Sequence, residues 1–356
     1  MIFVVNKLEG RQAHLSKKIL IIGTGGTISS VDSGEGLSSA LPVEEILRFC
    51  ESELSDLEYK ADVMDLLNID STLIQPEDWI KIAEEIGKNF SVYDGFIILH
   101  GTDTLAYTAS MLSFMLRNPT KPIVLTGSMK PAPIANSDAI PNVADSVRFA
   151  VSGCPGVYVV FNHKVIRASR ASKVASEDID AFVSVNEPPV ALVTSKYINY
   201  RKDFKANIEG PFSVDVRMDN RVFVLKIFPG LEPSIVETVI ERDISGLIVE
   251  SFGAGGLPYR GRNLLDILSK AAAQIPVVLT SQVLYNGVNL HTYEVGIRAL
   301  KAGVISAEDM SKEAAVTKLM WVLGHTKNID EIRRLFKTPI AGEIKQHKIY
   351  YRTPQR

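Results

Sequence analysis

The stretch YDGFIILHGTDTLAYTASMLSFMLRNP, residues 93–119, constrains the fold more than any other part of the chain. A short apolar run, Phe96–Leu99, stops at a polar turn, and a long apolar pattern begins at Leu105. This order predicts a buried strand, a tight turn and a helix. Ligands of open α/β sheets bind beyond the carboxyl ends of strands, so Thr102 and Asp103 occupy a position typical of a reactive site. The alternative interpretation is that either residue simply caps the helix.

The same alternation of strand and helix patterns continues through both halves of the chain. Strand patterns lie at 19–22, 96–99, 121–127, 156–161, 222–228, 246–251 and 276–280. Helical patterns lie at 42–53, after 75, after 104, and at 142–151, 234–242, 263–273, 293–302 and 307–325. Such alternation indicates mostly parallel sheets with helices on both faces. The predicted fold class is α/β with two domains, a larger flavodoxin-like or Rossmann-like N-terminal domain and a smaller C-terminal α/β domain.

The domain boundaries follow from where these patterns stop. Residues 1–16 have no clear pattern and are interpreted as an N-terminal extension, either a frayed tail or an added edge strand. Residues 17–188 form the predicted N-terminal domain with the active site, and residues 214–356 form the C-terminal domain. Between them, the proline-containing segment 189–213 lacks a long periodic run, which favours a linker.

Composition excludes several classes of protein. The chain has 356 residues, is 46% hydrophobic and carries a formal net charge of −2, which disfavours a general nucleic-acid binder. Cys50 and Cys154 have neither a disulfide pattern nor metal-site spacing. No apolar run approaches the roughly 18 residues of a spanning helix, and the apolar start is too short for a signal peptide. We therefore expect a cytoplasmic protein that binds neither membranes nor nucleic acid.

Polar groups follow four of the N-terminal strand patterns. They are Thr27, the pair Asp70-Ser71, the pair Thr102-Asp103, and Ser128. The first follows a glycine-rich turn that is no dinucleotide fingerprint, because position 28 is isoleucine where a third glycine is needed. Since the ends of parallel strands meet at one edge, these groups can share one cleft.

The chemistry of this set points to a hydroxyl nucleophile. It contains no cysteine, and its one neighbouring histidine, His100, is interpreted as structural. A lysine or an aspartate must then act as the base, because a desolvated lysine beside a threonine can accept its proton. The basic candidates are Lys164, Arg167, Arg170 and Lys173, and spacing alone does not choose among them.

Several motifs together resemble the L-asparaginase/glutaminase family, and specifically the cytoplasmic type I branch found in archaea. They are TGGTI and HGTDT, together with DSTLIQPEDW, PIVLTGSM, RASK, GGLPYRGRNLL and KEAAVTKLMWVLGHTKNI. The resemblance runs from about Lys17 to Glu343, and the two threonine motifs at their spacing carry most of its specificity.

The resemblance implies an amidohydrolase that converts L-asparagine and water into L-aspartate and ammonia. It implies that Thr27 is the nucleophile and that Thr102, Asp103 and Lys173 form a second triad. By the same resemblance, substrate contacts are expected from Asp70, Ser71 and Ser128. Neither a metal nor an organic cofactor is expected. The family likeness implies a homodimer, with a tetramer as the alternative.

One departure from the family and three alternatives qualify this expectation. Relatives carry a tyrosine on the lid loop, whereas here Gly36 is followed by Leu37. A glutaminase has the same fold, and one methylene is worth only roughly 1–3 kcal/mol in a pocket. The amidase subunit of the Glu-tRNA(Gln) amidotransferase shares the threonine motifs but has a larger N-terminal extension than 16 residues. A non-catalytic amino-acid-binding protein is the third alternative.

Overall fold

A computed structural model describes residues 3–7, 16–32, 34, 36–206 and 208–345, with the backbone alone at 3–7, 32 and 37–39. The strands of the first part of the chain are β1 (Phe3–Lys7), β2 (Lys17–Gly25), β3 (Ser30–Asp32), β4 (Leu37–Ser39), β5 (Tyr59–Ile69), β6 (Gly95–Leu99), β7 (Leu116–Arg117), β8 (Pro122–Thr126), β9 (Gly156–Phe161), β10 (Lys164–Arg167), β11 (Ala171–Lys173), β12 (Phe182–Ser184), β13 (Ala191–Val193) and β14 (Tyr197–Arg201). The helices of this part are α1 (Val43–Leu54), α2 (Pro76–Asn89), α3 (Leu105–Met115) and α4 (Ala139–Val151).

Nine of these strands form the larger sheet in the order β1-β14-β13-β10-β9-β8-β6-β2-β5. The five strands from β9 to β5 run parallel, as the alternation of strands and helices predicted. The other four are antiparallel to their neighbours. The change of direction comes at the hairpin between β9 and β10, where Asn162 and His163 have φ angles of 45° and 63°. A turn of two such residues joins antiparallel strands and is too short for a parallel crossover.

The larger sheet buries both of its faces. Alternate residues of β2 belong to different cores, because Ile19 and Ile21 pack with α1 and α4, whereas Leu20 and Ile22 pack with α2 and α3. A strand that is apolar on both faces reads as a continuous hydrophobic run, which is how the sequence presents it.

The predicted linker at 189–213 begins too early. Strands β13 and β14 lie inside that range, yet they pair with β10 and with each other in the larger sheet. These strands are only three and five residues long, which is too short to give a periodic signal of their own. Residues 3–7 of the predicted extension pair antiparallel with β14, which matches the edge-strand alternative.

The second part of the chain forms a smaller parallel sheet. Its strands are β15 (Ser213–Val214), which pairs with β7, and β16 (Val222–Lys226), β17 (Gly246–Ser251), β18 (Val277–Ser281) and β19 (Ile305–Ser306), which pair in that order. Its helices are α5 (Pro233–Ile240), α6 (Leu264–Ala271), α7 (Glu294–Lys301), α8 (Lys312–Leu323) and α9 (Ile329–Lys337). None of the helices in the described ranges is long and apolar enough to cross a membrane.

Helix α8 joins the two parts. The Ser311 hydroxyl accepts a hydrogen bond from the Ala314 N–H at 3.1 Å, which starts the helix as an N-cap. Its apolar side chains share one hydrophobic core with α3 of the first part. The segment that precedes α8 therefore lies beside the loops that follow the larger sheet.

Candidate active site

The four polar groups singled out in the sequence follow four adjacent strands of the larger sheet. Asp70-Ser71 follows β5, Thr27 follows β2, Thr102-Asp103 follows β6, and Ser128 follows β8. These strands are parallel neighbours, so their carboxyl ends lie at one edge. All four polar groups therefore follow the carboxyl ends of neighbouring parallel strands, as the sequence predicted.

Three glycines bring the loops into direct backbone contact. A β carbon on Gly26 would lie 2.2 Å from the α carbon of Gly101, and one on Gly101 would lie 2.7 Å from the Ser71 hydroxyl. Likewise, a β carbon on Gly127 would lie 2.2 Å from the His100 carbonyl oxygen. No side chain fits at these positions, so the loops can approach only because all three residues are glycine.

Lys173 lies between Thr102 and Asp103. Its ammonium donates hydrogen bonds to Thr102 Oγ1 at 2.9 Å and to Asp103 Oδ1 at 2.5 Å. Thr102 is 5% exposed, and the Lys173 side chain is 17% exposed, so this contact is largely shielded from water. Of the four basic candidates, Lys173 is therefore the one that contacts Thr102, which residue spacing did not predict.

The turn that carries Thr27 leaves its hydroxyl available. Thr27–Ser29 is a 3₁₀ turn that begins after Gly26, whose φ of 84° suits glycine. Within the described ranges, the hydroxyl of half-buried Thr27 has no hydrogen-bond partner. It is therefore free to attack, or to bind, a small molecule in the cleft.

The helix-capping interpretation of Thr102 and Asp103 is wrong. The N-cap position of α3 is Thr104, and no side chain caps that end. Instead, the Thr104 hydroxyl donates to the Ser71 carbonyl oxygen at 2.7 Å. The two residues before it are thus free to interact with Lys173.

Ser71 connects two of the loops, and Asp70 stabilises its own turn. The Ser71 hydroxyl accepts a hydrogen bond from the Asp103 N–H at 3.2 Å, and its own proton has no acceptor in the described part of the chain. Asp70 accepts from the Thr72 hydroxyl at 2.6 Å and from the Thr72 N–H at 2.7 Å, which lowers the pKa of its carboxyl. Asp70 is exposed, whereas Ser71 is buried.

His100 holds the Gly101 turn and does not face the cleft. It is fully buried, and its Nδ1–H donates to the Gly101 carbonyl oxygen at 2.6 Å. Its Nε2 lies 3.0 Å from the hydroxyl of Thr108, which accepts from the Trp79 indole N–H at 2.9 Å. The Nδ1–H tautomer satisfies this chain of contacts, and burial lowers the pKa of His100 to about 4. These contacts support the structural role predicted for His100.

The structure gives less support to the predicted substrate contact of Ser128 and to the predicted lid role of Gly36 and Leu37. Ser128 is fully buried and its hydroxyl donates to the Lys130 carbonyl oxygen at 2.5 Å, so its substrate contact stays a prediction. Gly36 and Leu37 lie on the short hairpin of β3 and β4, where Leu37 pairs with Asp32. Tyr59, the nearest tyrosine in sequence, pairs with Lys17 where β2 and β5 begin, at the end of the strands opposite to the site, so it cannot replace the missing phenol.

Sequence reasoning missed the role of two neighbours of Lys173, of which Arg170 was considered only as a candidate base. Arg170 and Ser172, from the same RASK motif, bond to Asp309 and Glu313 in the second part of the chain. The only sequence signal was their position beside Lys173, since their partners lie well over a hundred positions away.

Comparison with known proteins matches both parts of the chain. Residues 18–206 match the family model for the N-terminal domain of asparaginase. Residues 221–336 match the model for the C-terminal domain of glutaminase and asparaginase. The chain belongs to the asparaginase family.

Individual relatives resemble this chain over more than nine-tenths of its length. L-asparaginase from Thermococcus kodakarensis is 48% identical over 92% of this chain and 99% of its own length. The solved structure of that thermostable enzyme superposes with a TM-score of 0.88, covering 93% of this chain and all of the other. L-asparaginase I from Vibrio cholerae, 32% identical, superposes with a TM-score of 0.82 over 93% of this chain and all of its own. A glutamyl-tRNA(Gln) amidotransferase subunit of T. kodakarensis is 39% identical over 95% of this chain and 80% of its own length.

Proposed function

We propose that this chain hydrolyses the side-chain amide of L-asparagine to give L-aspartate and ammonia. The observation that supports it most is the Lys173 ammonium between Thr102 and Asp103, next to the Gly26–Gly101 contact that brings Thr27 alongside. A hydroxyl nucleophile beside a group that can take its proton is one arrangement that catalyses amide hydrolysis. The likeness to L-asparaginases in family, sequence and structure supports the same reaction.

The proposed reaction starts with attack on the amide carbon. In one route, Thr27 Oγ1 forms a bond to this carbon, the C–N bond breaks, and water then hydrolyses the ester. In the other route, water attacks directly. In both, Thr102 and Lys173 would relay the proton of the attacking group to the leaving nitrogen as ammonia forms. Backbone N–H groups around Thr27 would hold the oxyanion, with each such donor worth roughly 3–4 kcal/mol.

The rest of the substrate would be held by charge. The Asp103 carboxylate contacts Lys173 and is also open to solvent, with a side chain 56% exposed, and it would pair with the α-ammonium group. The Ser71 hydroxyl, whose proton has no acceptor among the described residues, would donate a hydrogen bond to the α-carboxylate. Substrate contacts from Asp70 and Ser128 stay predictions, since in the structure Asp70 bonds to Thr72 and Ser128 to the Lys130 carbonyl oxygen.

The decisive experiment is ammonia release from L-asparagine and from L-glutamine, measured side by side. We expect fast release from asparagine that is lost in Thr27→Ala, while Thr27→Ser retains part of it because the hydroxyl remains. Equal or faster release from glutamine would favour a glutaminase. Release from neither, with binding of an amino acid in calorimetry, would favour the non-catalytic alternative.

The amidotransferase alternative is a second candidate, favoured by the 39% identity to the T. kodakarensis amidotransferase protein. The higher identity to the T. kodakarensis L-asparaginase, over nearly all of that enzyme, weighs against it. Release of ammonia from glutamine only when a Glu-tRNA-bound partner protein is added would reverse this order. The homodimer, the alternative tetramer and the cytoplasmic location stay predictions.

A further inference from the structure

The short segment that carries Lys173 is held from two sides. On one side, Lys173 reaches Thr102 and Asp103. On the other side, three side chains of the same segment donate hydrogen bonds to the second part of the chain. Ser169 Oγ donates to the Ala341 carbonyl oxygen at 2.9 Å, and Arg170 Nε donates to the Gly342 carbonyl oxygen at 2.9 Å. Ser172 Oγ donates to Glu313 Oε1 at 2.8 Å. The position of Lys173 therefore depends on residues far from the larger sheet.

Arg170 makes the strongest of these contacts. It is 1% exposed, and its Nη1 donates both to the Asp309 carbonyl oxygen at 2.8 Å and to Asp309 Oδ2 at 2.9 Å. Together with the Nε contact to Gly342, this uses two sides of a planar guanidinium. A lysine has one point of charge and cannot reproduce that geometry.

Asp309 is itself fixed in place. Its Oδ1 accepts a hydrogen bond from the Lys345 N–H at 3.0 Å, and its carbonyl oxygen also accepts one from the Asn186 side chain at 2.8 Å. Both carboxylate oxygens are therefore used, and the carboxylate cannot turn away without losing a partner. Arg170 is anchored to a rigid frame rather than to a mobile surface group.

Only two residues separate this anchor from the reactive lysine. Arg170 ends the 3₁₀ turn Ala168–Arg170, and Lys173 ends the three-residue strand β11, which is paired with β12. So short and rigid a connection transmits a shift at Arg170 to the backbone of Lys173. A displacement of about 1 Å at a reacting group can cost about 10²-fold in rate.

We propose that Arg170, anchored by Asp309, is a positioning residue that sets the Lys173 ammonium against Thr102. This inference rests on the proposed function and adds to it a residue that does not touch the substrate. It also means that the second part of the chain contributes to catalysis by holding the lysine segment from outside the cleft.

The test compares Arg170→Lys with Arg201→Lys. Arg201 is the control for substitution of a largely buried arginine, because it bonds to Glu187 at 2.9 Å and to the Pro188 carbonyl oxygen at 2.8 Å, both in the first part of the chain, rather than to Asp309. We expect Arg170→Lys to lower kcat for asparagine by about 10-fold or more, with KM within about 2-fold, since binding groups remain in place. Arg201→Lys should change stability but leave kcat close to that of the unsubstituted enzyme. Equal kcat values for the two variants would overturn the proposal.

Two further measurements keep the test decisive. If Arg170→Lys does not fold, Asp309→Asn replaces it, because it retains the backbone carbonyl acceptor and one side-chain oxygen but removes the charge and the second side-chain acceptor. Unchanged kcat in that variant would also overturn the proposal. Crystal structures supply a readout independent of turnover, in which we expect the contact of Lys173 Nζ with Thr102 Oγ1 to lengthen beyond hydrogen-bond distance. If the unsubstituted enzyme releases no ammonia from any amide, the proposed function fails, whereas an unmoved Lys173 in the variant structure refutes the positioning role.

Discussion

Gly26 and Gly101 lie backbone against backbone, so closely that a β carbon on the first would sit 2.2 Å from the α carbon of the second. Each glycine directly precedes a threonine of the site, Thr27 or Thr102. The contact therefore determines how near the two hydroxyls can come. It explains why both threonine motifs need a glycine immediately before the reactive residue.

Substitution Gly26→Ala tests this contact. The new methyl group meets backbone that cannot move aside, and φ is 84°, so we expect a loss of about 2–5 kcal/mol in the free energy of unfolding, with activity nearly abolished. Gly153→Ala is the control, because its φ is 74° with no heavy atom within 4 Å, and about 1–2 kcal/mol is expected there. Urea denaturation measures both, and equal losses would show that the close contact does not matter.

The alanine variants of the two threonines should differ in their free energy of unfolding, although both should lose turnover. Thr27→Ala removes a hydroxyl without a partner in the described residues, so its free energy of unfolding should change by less than about 0.5 kcal/mol. Thr102→Ala removes a buried acceptor of the Lys173 ammonium, which should cost about 1–3 kcal/mol. Thermal denaturation and ammonia release are measured on the same samples, with Thr102→Ser as the control that keeps the hydroxyl. A larger loss in Thr27→Ala would contradict the geometry.

The lowered pKa of buried His100 predicts that the protein loses stability in acid. Its folded pKa of about 4 lies below the unfolded value of about 6.5, so between these pH values the unfolded chain binds one more proton. Stability should therefore fall as pH decreases through this window, by roughly 3 kcal/mol from this residue. His100→Asn retains a donor for the Gly101 carbonyl but does not titrate, so its stability should fall less over the same range. Parallel acid slopes for the two proteins, in denaturation at a series of pH values, would refute the assignment.

The ion pair of Lys318 and Glu343 is fully buried, so removing one partner should lower the free energy of unfolding. Lys318 also donates to the Thr338 carbonyl oxygen at 2.7 Å, and Glu343 accepts from the Ala341 N–H at 2.7 Å. Lys318→Met leaves a buried carboxylate without its counter-ion, which should cost about 3–5 kcal/mol. The double variant Lys318→Met with Glu343→Gln should recover part of that loss, because no unpaired charge remains. Additive losses in denaturant unfolding would show that the two groups are not coupled.

Much of the fold was readable from the sequence because its signals are local. A buried parallel strand is a run of apolar residues, and the turn after β6 is marked by a glycine and small polar residues. These patterns located the strand–turn–helix units and the carboxyl ends of the strands that are followed by Thr27 and Thr102. The strands β13 and β14 could not, since each is too short to show a period and is defined only by the strand it pairs with.

The site divides in the same way. The sequence by itself determined which polar residues follow the strand ends, because chain order and side-chain chemistry are local properties. Residue spacing alone did not distinguish Lys173 from Lys164, Arg167 and Arg170, although the family resemblance named Lys173. Only the tertiary structure decided that Lys173 meets Thr102 at hydrogen-bond distance and that Arg170 instead bonds to Asp309. The four basic residues lie within ten positions of one another in the sequence. Where each side chain points depends on the local backbone and on partners from distant segments. Those contacts form only when the chain has folded, so no local pattern encodes them.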